Sequence, residues 1–265
     1  MCGIAGFSLS PRSGLDRTLV AQALLAGIAE RGADAVGYAH RGPGRIVAVR
    51  KQRGGASELL DQVSLPAEAT QALVHVRDYT KGHPRIEANN HPVRHGSVVG
   101  IHNGIIVNDE ELIVFHDIRR HEPEMTVDSE VIFALAERAR GRTRRALEQL
   151  YGSMATAWLD EERDELIIAR GIGRPLWIGT GEDVLLFAST RQSLELAERY
   201  ARVRLDKHEL PVGTIVGALD GRVVAEEKFS PDLSFEEEPL PAVRAPRERE
   251  TCLARLAALA APAAA

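Results

Sequence analysis

The sequence opens with MCGIAGFSL, residues 1–9, in which a cysteine in second position precedes an apolar run. This run is too apolar for a frayed terminus and predicts a buried strand. A small second residue permits removal of Met1, and Cys2 would then carry both a thiol and a free α-amine. Their reference pKa values, about 8.5 and about 7.7–8.0, allow the amine to accept the thiol proton. The stretch therefore predicts an N-terminal nucleophile held at the end of a strand.

Composition limits the class of protein. The chain has 265 residues, of which 44% are hydrophobic and 27% charged, and a net charge of -5. These values are typical of a globular domain and lack the basic stripe of a nucleic-acid binder. No signal peptide or long apolar segment is recognisable. We therefore expect a cytoplasmic protein with neither a nucleic-acid nor a membrane partner.

The sequence has two cysteines, Cys2 and Cys252, near its opposite ends. A reducing cytoplasm disfavours a disulfide between them, and two cysteines make no metal framework. We expect no metal and no cofactor. Cys252, in an Ala-rich segment, is interpreted as an inert small hydrophobe.

Residue patterns predict strands and helices in groups rather than in strict alternation. This grouping indicates an α+β fold with sheets covered by helices. Strands are predicted at residues 4–9, 45–51, 72–79, 97–102, 154–160, 165–170, 184–189, 213–219 and 222–229, and helices at 15–30, 128–138, 142–150 and 192–200.

The composition changes after residue 229. Residues 230–246 are Pro-rich and charged, which predicts a linker after a folded domain of residues 1–229. Residues 247–265 form an Ala-rich tail that has the pattern of a short helix. A frayed terminal helix is the favoured interpretation, and a docking element for a partner is the alternative.

The stretch IHNGIIVN, residues 101–108, has two interpretations. Asn-Gly between apolar runs is a strong hairpin signal. The Asn103 side-chain amide and the Gly104 N–H could instead converge as an oxyanion hole, in which the loss of one donor costs about 3–4 kcal/mol in a hydrolase.

Two charged residues also allow a structural and a functional interpretation. Arg77 ends an apolar strand, where it needs a carboxylate from this protein or from a substrate. Asp128 begins a helical pattern, where it could be an N-cap or bind an ammonium group. Together Arg77 and Asp128 would recognise the α-amino-acid end of a substrate.

The chain resembles the glutaminase domain of class II glutamine amidotransferases, most closely that of glucosamine-phosphate synthase. The resemblance rests on motifs that occur in the family's order and approximate spacing as far as about residue 229. They are MCGIAGF, RGADAVGYA at 31–39, HVRDYTKG at 75–82, NNHPV at 89–93, HNGIIVN at 102–108 and VDSEV at 127–131.

The resemblance implies a four-layer αββα sandwich of the N-terminal-nucleophile type and a role for each matching residue. Cys2 would attack the glutamine side-chain amide with its own amine as base, and Asn103 and Gly104 would form the oxyanion hole. Arg77 would bind the α-carboxylate of glutamine and Asp128 its α-amino group. Thr80 would line the pocket.

Several other residues of these motifs are interpreted as structural. His91 and His102 are not needed as bases, because the amine of Cys2 serves that role. Arg31, Asp34 and Gly37 are interpreted as a scaffold beneath the site, with glycine providing turn conformations.

The sequence departs from the resembled family at two positions of the pocket loop and in its length. Asp78 replaces a Trp and Lys81 replaces a His, which affects the loop that closes over glutamine. No synthase domain follows. We therefore expect a stand-alone subunit that passes ammonia to a separate synthase partner. The alternatives are an amidohydrolase that cleaves a γ-glutamyl amide from a larger molecule, and an inactive regulatory or interaction module.

Overall fold

A computed structural model describes residues 2–237 and 245–261, and within these the chain forms two antiparallel sheets. The first sheet has seven strands in the order β11-β9-β10-β1-β4-β2-β3. These strands are β1 (Gly3–Leu9), β2 (Ala35–Arg41), β3 (Val47–Arg53), β4 (Gln71–Arg77), β9 (Trp177–Gly181), β10 (Val184–Ala188) and β11 (Asp206–Glu209).

The second sheet has six strands in the order β13-β12-β8-β7-β6-β5. Its longest strands, β6 and β7, pair along their full length. The strands are β5 (Val93–His95), β6 (Val98–Ile106), β7 (Gly152–Asp160), β8 (Leu166–Arg170), β12 (Thr214–Leu219) and β13 (Arg222–Lys228).

Helices cover the outer face of each sheet. Helices α1 (Arg17–Ile28), α2 (Ala56–Leu59), α6 (Arg191–Ala201) and α7 (Pro246–Leu259) belong to the first sheet's side. Helices α3 (Asp109–Phe115), α4 (Glu130–Ala139) and α5 (Thr143–Leu147) belong to the second. The predicted four-layer αββα fold is confirmed.

Alternation along the strands explains the layers, because successive side chains of a strand point to opposite faces. In β10, Leu186 packs toward α1, whereas Phe187 packs between the two sheets. In β7, Trp158 packs toward α4, and its neighbour Ala157 joins the core between the sheets. The central strand β1 is buried along its whole length, as its apolar sequence predicts.

The tail differs from the expected frayed helix. Helix α7 packs on α1, and Cys252 and Leu256 are fully buried in the core of that layer. Glu248 accepts hydrogen bonds from the backbone and hydroxyl of Ser57 at 2.9 and 3.1 Å. The predicted amphipathic helix is present, and its apolar face packs against the folded domain of this same chain.

The first part of the predicted linker contacts the folded domain. Phe235 lies edge-on to Tyr151, and Glu237 forms an ion pair with Arg174. Residues 238–244 of the predicted linker, and residues 262–265 of the predicted tail, lie outside the described residues. Among the described helices, none combines the length and the apolar character that a membrane span requires.

Candidate active site

Pairing of the two central strands brings Cys2 and Arg77 to one edge of the first sheet. Antiparallel β1 and β4 are in register with Gly3 opposite Val76, so the residues that flank this pair are neighbours. Two contacts fix Cys2 further. Its carbonyl accepts a hydrogen bond from Arg31 Nε at 2.9 Å, and its thiol donates to the Asp78 carbonyl at 3.3 Å. The nucleophile candidate is thus held from both sides.

A cleft opens at this edge, with about 230 Å³ of empty space including the part open to solvent. Five of the six predicted site residues line it, and Asn103 is the exception. The lining residues are Cys2, Arg77, Tyr79, Thr80, Lys81, His91, His102, Gly104, Val127, Asp128 and Ser129.

Opposing effects act on the Cys2 thiol. Burial raises its pKa, whereas a backbone hydrogen bond with Asp78 and the positive charge of Arg77 lower it. Burial prevails, so the pKa is raised overall and the thiol is the favoured form at neutral pH. A nucleophile at this position therefore needs a base to remove its proton.

Arg77 has no carboxylate of this protein as an ion-pair partner within the described residues. Its Nη1 donates to Asn90 Oδ1 at 2.6 Å, and its Nη2 donates to the carbonyls of Lys81, at 2.8 Å, and Gly82. A guanidinium has five N–H donors, so these bonds leave capacity for a further acceptor. The buried charge faces a cleft in which a carboxylate would neutralise it.

Asn103 and Gly104 lie inside strand β6 and do not form the hairpin turn that their sequence suggested. They pair with Ala155 and Met154 of the neighbouring strand. Gly104 has φ +147°, and a Cβ there would lie 1.9 Å from the carbonyl oxygen of Ser153. Only glycine fits this backbone without strain.

The side-chain amide of Asn103 is buried, and its Nδ2 has no hydrogen-bond partner among the described residues. Buried polar groups are normally paired, so an unpaired amide donor beside a cleft requires an explanation. A donor that waits for a developing negative charge on a substrate provides one.

Asp128 is not the N-cap of α4, because Ser129 precedes the first helical residue. Its carboxylate instead accepts a hydrogen bond from the Ile106 N–H at 2.7 Å, at the end of β6. Burial raises the pKa of Asp128, opposed by this bond and by the charge of Lys81. A cationic group bound in the cleft would stabilise its charged form.

Three buried histidines lie together at the cleft, and two of them, His91 and His102, are part of its lining. His75 Nε2 donates to the carbonyl of His102 at 3.1 Å, which joins β4 to β6. His91 stacks on His75 with ring centroids 4.3 Å apart. Burial lowers the pKa of all three, to about 3 for His75 and about 4 for His102. They are neutral at physiological pH.

The ring of His102 has an assigned tautomer. Its Nε2 faces the Ser153 carbonyl at 3.3 Å, which can only accept, so Nε2 carries the hydrogen. Its Nδ1 then accepts from the Ser129 hydroxyl at 2.9 Å. These bonds favour the structural role predicted for His102, and they connect strand β6 to the start of α4.

The segment 31–34 supports the site from below. Arg31 bonds to Cys2, as described above, and Asp34 bonds to the chain at Arg77 and just after it. The Asp34 N–H donates to the Arg77 carbonyl, and the Asp34 carboxylate accepts from the Tyr79 N–H, both at 3.0 Å. Gly37 was expected to lie in a turn, and this expectation is wrong. It lies within β2, where a Cβ would be 2.4 Å from the His91 carbonyl oxygen.

Sequence reasoning missed residues that act through others. Asn90 binds the Arg77 guanidinium, and Ser129 binds the His102 ring. Both lie within motifs already recognised, so their position beside the named site residues was the available signal. Asp109, the partner of Lys81, carried no such signal.

The chain is similar in sequence to known glutamine-dependent enzymes. Residues 82–196 match the family model of a glutamine amidotransferase domain. The glutamine–fructose-6-phosphate aminotransferase (isomerizing) of Thermus thermophilus is 32% identical over 250 residues, which cover 89% of this chain and 40% of the relative. That of Listeria monocytogenes is 28% identical over 248 residues, which cover 88% and 39%. The chain thus spans about two fifths of the length of these relatives.

A solved structure gives the same fold. Glutamine phosphoribosylpyrophosphate amidotransferase from B. subtilis matches with a TM-score of 0.68 and 22% identity, covering 86% of this chain and 49% of that one. The family match defines a glutamine amidotransferase domain. The chain belongs to the glutamine amidotransferases, as its motifs predicted.

Proposed function

We propose that the chain hydrolyses glutamine to glutamate and ammonia through a γ-glutamyl thioester on Cys2. The observation that carries the proposal is the convergence of a thiol, a buried guanidinium and a buried carboxylate on one cleft, contributed by Cys2, Arg77 and Asp128. A guanidinium and a carboxylate complement the two charged groups of an α-amino acid. The amide at the other end of glutamine then faces the thiol.

The residues have distinct roles in the proposed reaction. With Met1 removed, the α-amine of Cys2 takes the thiol proton, and the sulfur attacks the side-chain carbonyl carbon of glutamine. Asn103 Nδ2 and the Gly104 N–H stabilise the resulting oxyanion. The amine returns the proton to the departing nitrogen as the C–N bond breaks, and ammonia leaves. Water then cleaves the thioester and releases glutamate. Thr80, exposed at the rim, contacts the bound amino acid.

We further propose that the ammonia passes to an acceptor site on a separate synthase polypeptide. Ammonia released into water at neutral pH is mostly protonated and no longer nucleophilic, so useful transfer requires direct delivery. About three fifths of each matched aminotransferase lies outside the region similar to this chain. Those relatives act on fructose 6-phosphate by name.

The test is an assay of the purified chain with glutamine and, in parallel, with γ-glutamyl amides of larger amines. We expect equimolar glutamate and ammonia from glutamine, and no product from the Cys2→Ala variant. Faster amine release from the larger amides would favour an amidohydrolase instead. An inactive wild-type chain would favour an interaction module. For the partner, we expect co-purification with a second polypeptide, and a monomer with full glutaminase activity alone would contradict it.

A further inference from the structure

The loop of residues 78–82 forms one wall of the cleft, and its conformation sets the positions of Cys2 and Arg77. The Asp78 carbonyl contacts the Cys2 thiol, and the carbonyls of Lys81 and Gly82 accept from the Arg77 guanidinium. Any shift of this loop would therefore move the acceptors that orient both groups.

The side chain of Lys81 attaches this loop to helix α3. Its Nζ lies 2.7 Å from both carboxylate oxygens of Asp109, the first residue of the helix. The Asp109 side chain is fully buried, and Lys81 is about one third exposed. A charged pair with this geometry forms stronger hydrogen bonds than a neutral pair.

Within residues 2–237 and 245–261, no cation other than Lys81 donates a hydrogen bond to the Asp109 side chain. The next cation is Arg120, whose Nη2 lies 3.9 Å from the Asp109 carboxylate, beyond hydrogen-bond distance, and whose Nη1 donates to Glu130 at 3.0 Å. Leaving a buried carboxylate without its hydrogen-bonded partner is unfavourable. The loop position that keeps Lys81 on Asp109 is therefore strongly preferred over others.

We infer that Lys81 is a positioning residue for glutamine: its ion pair with Asp109 holds the loop of residues 78–82 so that Arg77 faces the α-carboxylate of the substrate. The inference rests on the proposed glutaminase function. Lys81 occupies a position at which this chain departs from the family pattern. Its partner Asp109 was not identified from the sequence.

The test compares Lys81→Met, which keeps length but removes charge, with Lys81→Arg, which keeps the charge. We expect Lys81→Met to raise KM for glutamine about tenfold, equivalent to about 1.4 kcal/mol at 25 °C, with kcat nearly unchanged. Lys81→Arg should recover most of the affinity. Modification of Cys2 by a glutamine-analogue electrophile should slow by the same factor, whereas its alkylation by iodoacetamide should not change.

Lys207→Met is the matched control, because Lys207 forms a comparable partly buried ion pair with Glu198, 2.7 Å away and outside the cleft. It should leave KM unchanged. An unchanged KM in Lys81→Met, or equal losses in Lys81→Met and Lys81→Arg, would overturn the inference while wild-type activity upheld the proposed function. A wild-type chain without glutaminase activity would overturn the proposed function itself.

Discussion

The buried side-chain amide of Asn103 gives a quantitative prediction for the Asn103→Ala variant. In the proposed reaction this amide gains its hydrogen bond only when the carbonyl oxygen of glutamine becomes an oxyanion. Its removal should therefore raise the barrier of the chemical step and leave ground-state binding by Arg77 and Asp128 intact. Loss of one such donor costs about 2.7–4 kcal/mol, so kcat should fall by about 10²–10³-fold with KM nearly constant.

Asn108→Ala is the matched control, because Asn108 lies just beyond the same strand but outside the cleft. Its side chain donates to the Gln149 carbonyl and accepts from the Tyr151 N–H, both at 2.9 Å. Losing two satisfied hydrogen bonds should lower the free energy of unfolding by about 1–3 kcal/mol without changing kcat.

Steady-state glutaminase kinetics and urea unfolding of both variants provide the assay. The oxyanion-hole assignment predicts opposite profiles: a loss of kcat for Asn103→Ala and a loss of stability for Asn108→Ala. A kcat for Asn103→Ala within a factor of about three of the wild-type kcat would refute the assignment, because it corresponds to less than about 1 kcal/mol of activation free energy. So would a rise in KM with kcat unchanged, since that pattern indicates ground-state binding.

Three further variants or conditions test the site and the fold. Gly104→Ala should lower the free energy of unfolding by about 3 kcal/mol and abolish glutaminase activity, because its Cβ would overlap the Ser153 carbonyl; full activity would contradict this. Stability should fall as pH drops from about 6.5 toward about 4, by about 1.4 kcal/mol per pH unit for each of His75 and His102, because the unfolded chain binds protons that these buried rings do not. Urea unfolding across this range measures the slope, and a ring that was protonated in the native state would remove its own share of about 1.4 kcal/mol per pH unit. Leu256→Ala, at a fully buried position in α7, should cost about 2–5 kcal/mol, and Leu259→Ala, at a 45% exposed one, far less; equal small losses would show that α7 does not pack as described.

The sequence contained enough to predict the layers and the position of Cys2 at the start of a buried strand. β-branched apolar runs marked most strands, including β1 and β4, and these two strands carry Cys2 and Arg77 to the same edge. Four strands were missed: β2 (AVGYAHR), β5, β9 (WIGTG) and β11. Glycines weaken the β-pattern of β2 and β9, whereas β5 and β11 have only 3 and 4 residues. Pairing with neighbouring strands decides the conformation of all four.

Contacts between residues far apart in sequence were beyond local patterns. The hydrogen bond from His75 to the His102 carbonyl joins the two sheets across 27 residues, and the Lys81–Asp109 pair spans 28. The Asn-Gly pair illustrates the same point: it is a strong turn signal locally, but pairing of β6 with β7 keeps it extended. Tertiary contacts therefore determined the details of the site.

The central claim is that Cys2, as the processed N-terminal residue, is the nucleophile for glutamine. The most direct measurement is incubation of the purified chain with a glutamine-analogue electrophile, followed by peptide mass mapping. We expect one label, on a Cys2 that has lost Met1, and protection by excess glutamine. Cys252 should remain unlabelled, because it is fully buried and burial raises its pKa to about 12. Label on a chain that retains Met1, or on Cys252 alone, would contradict the account.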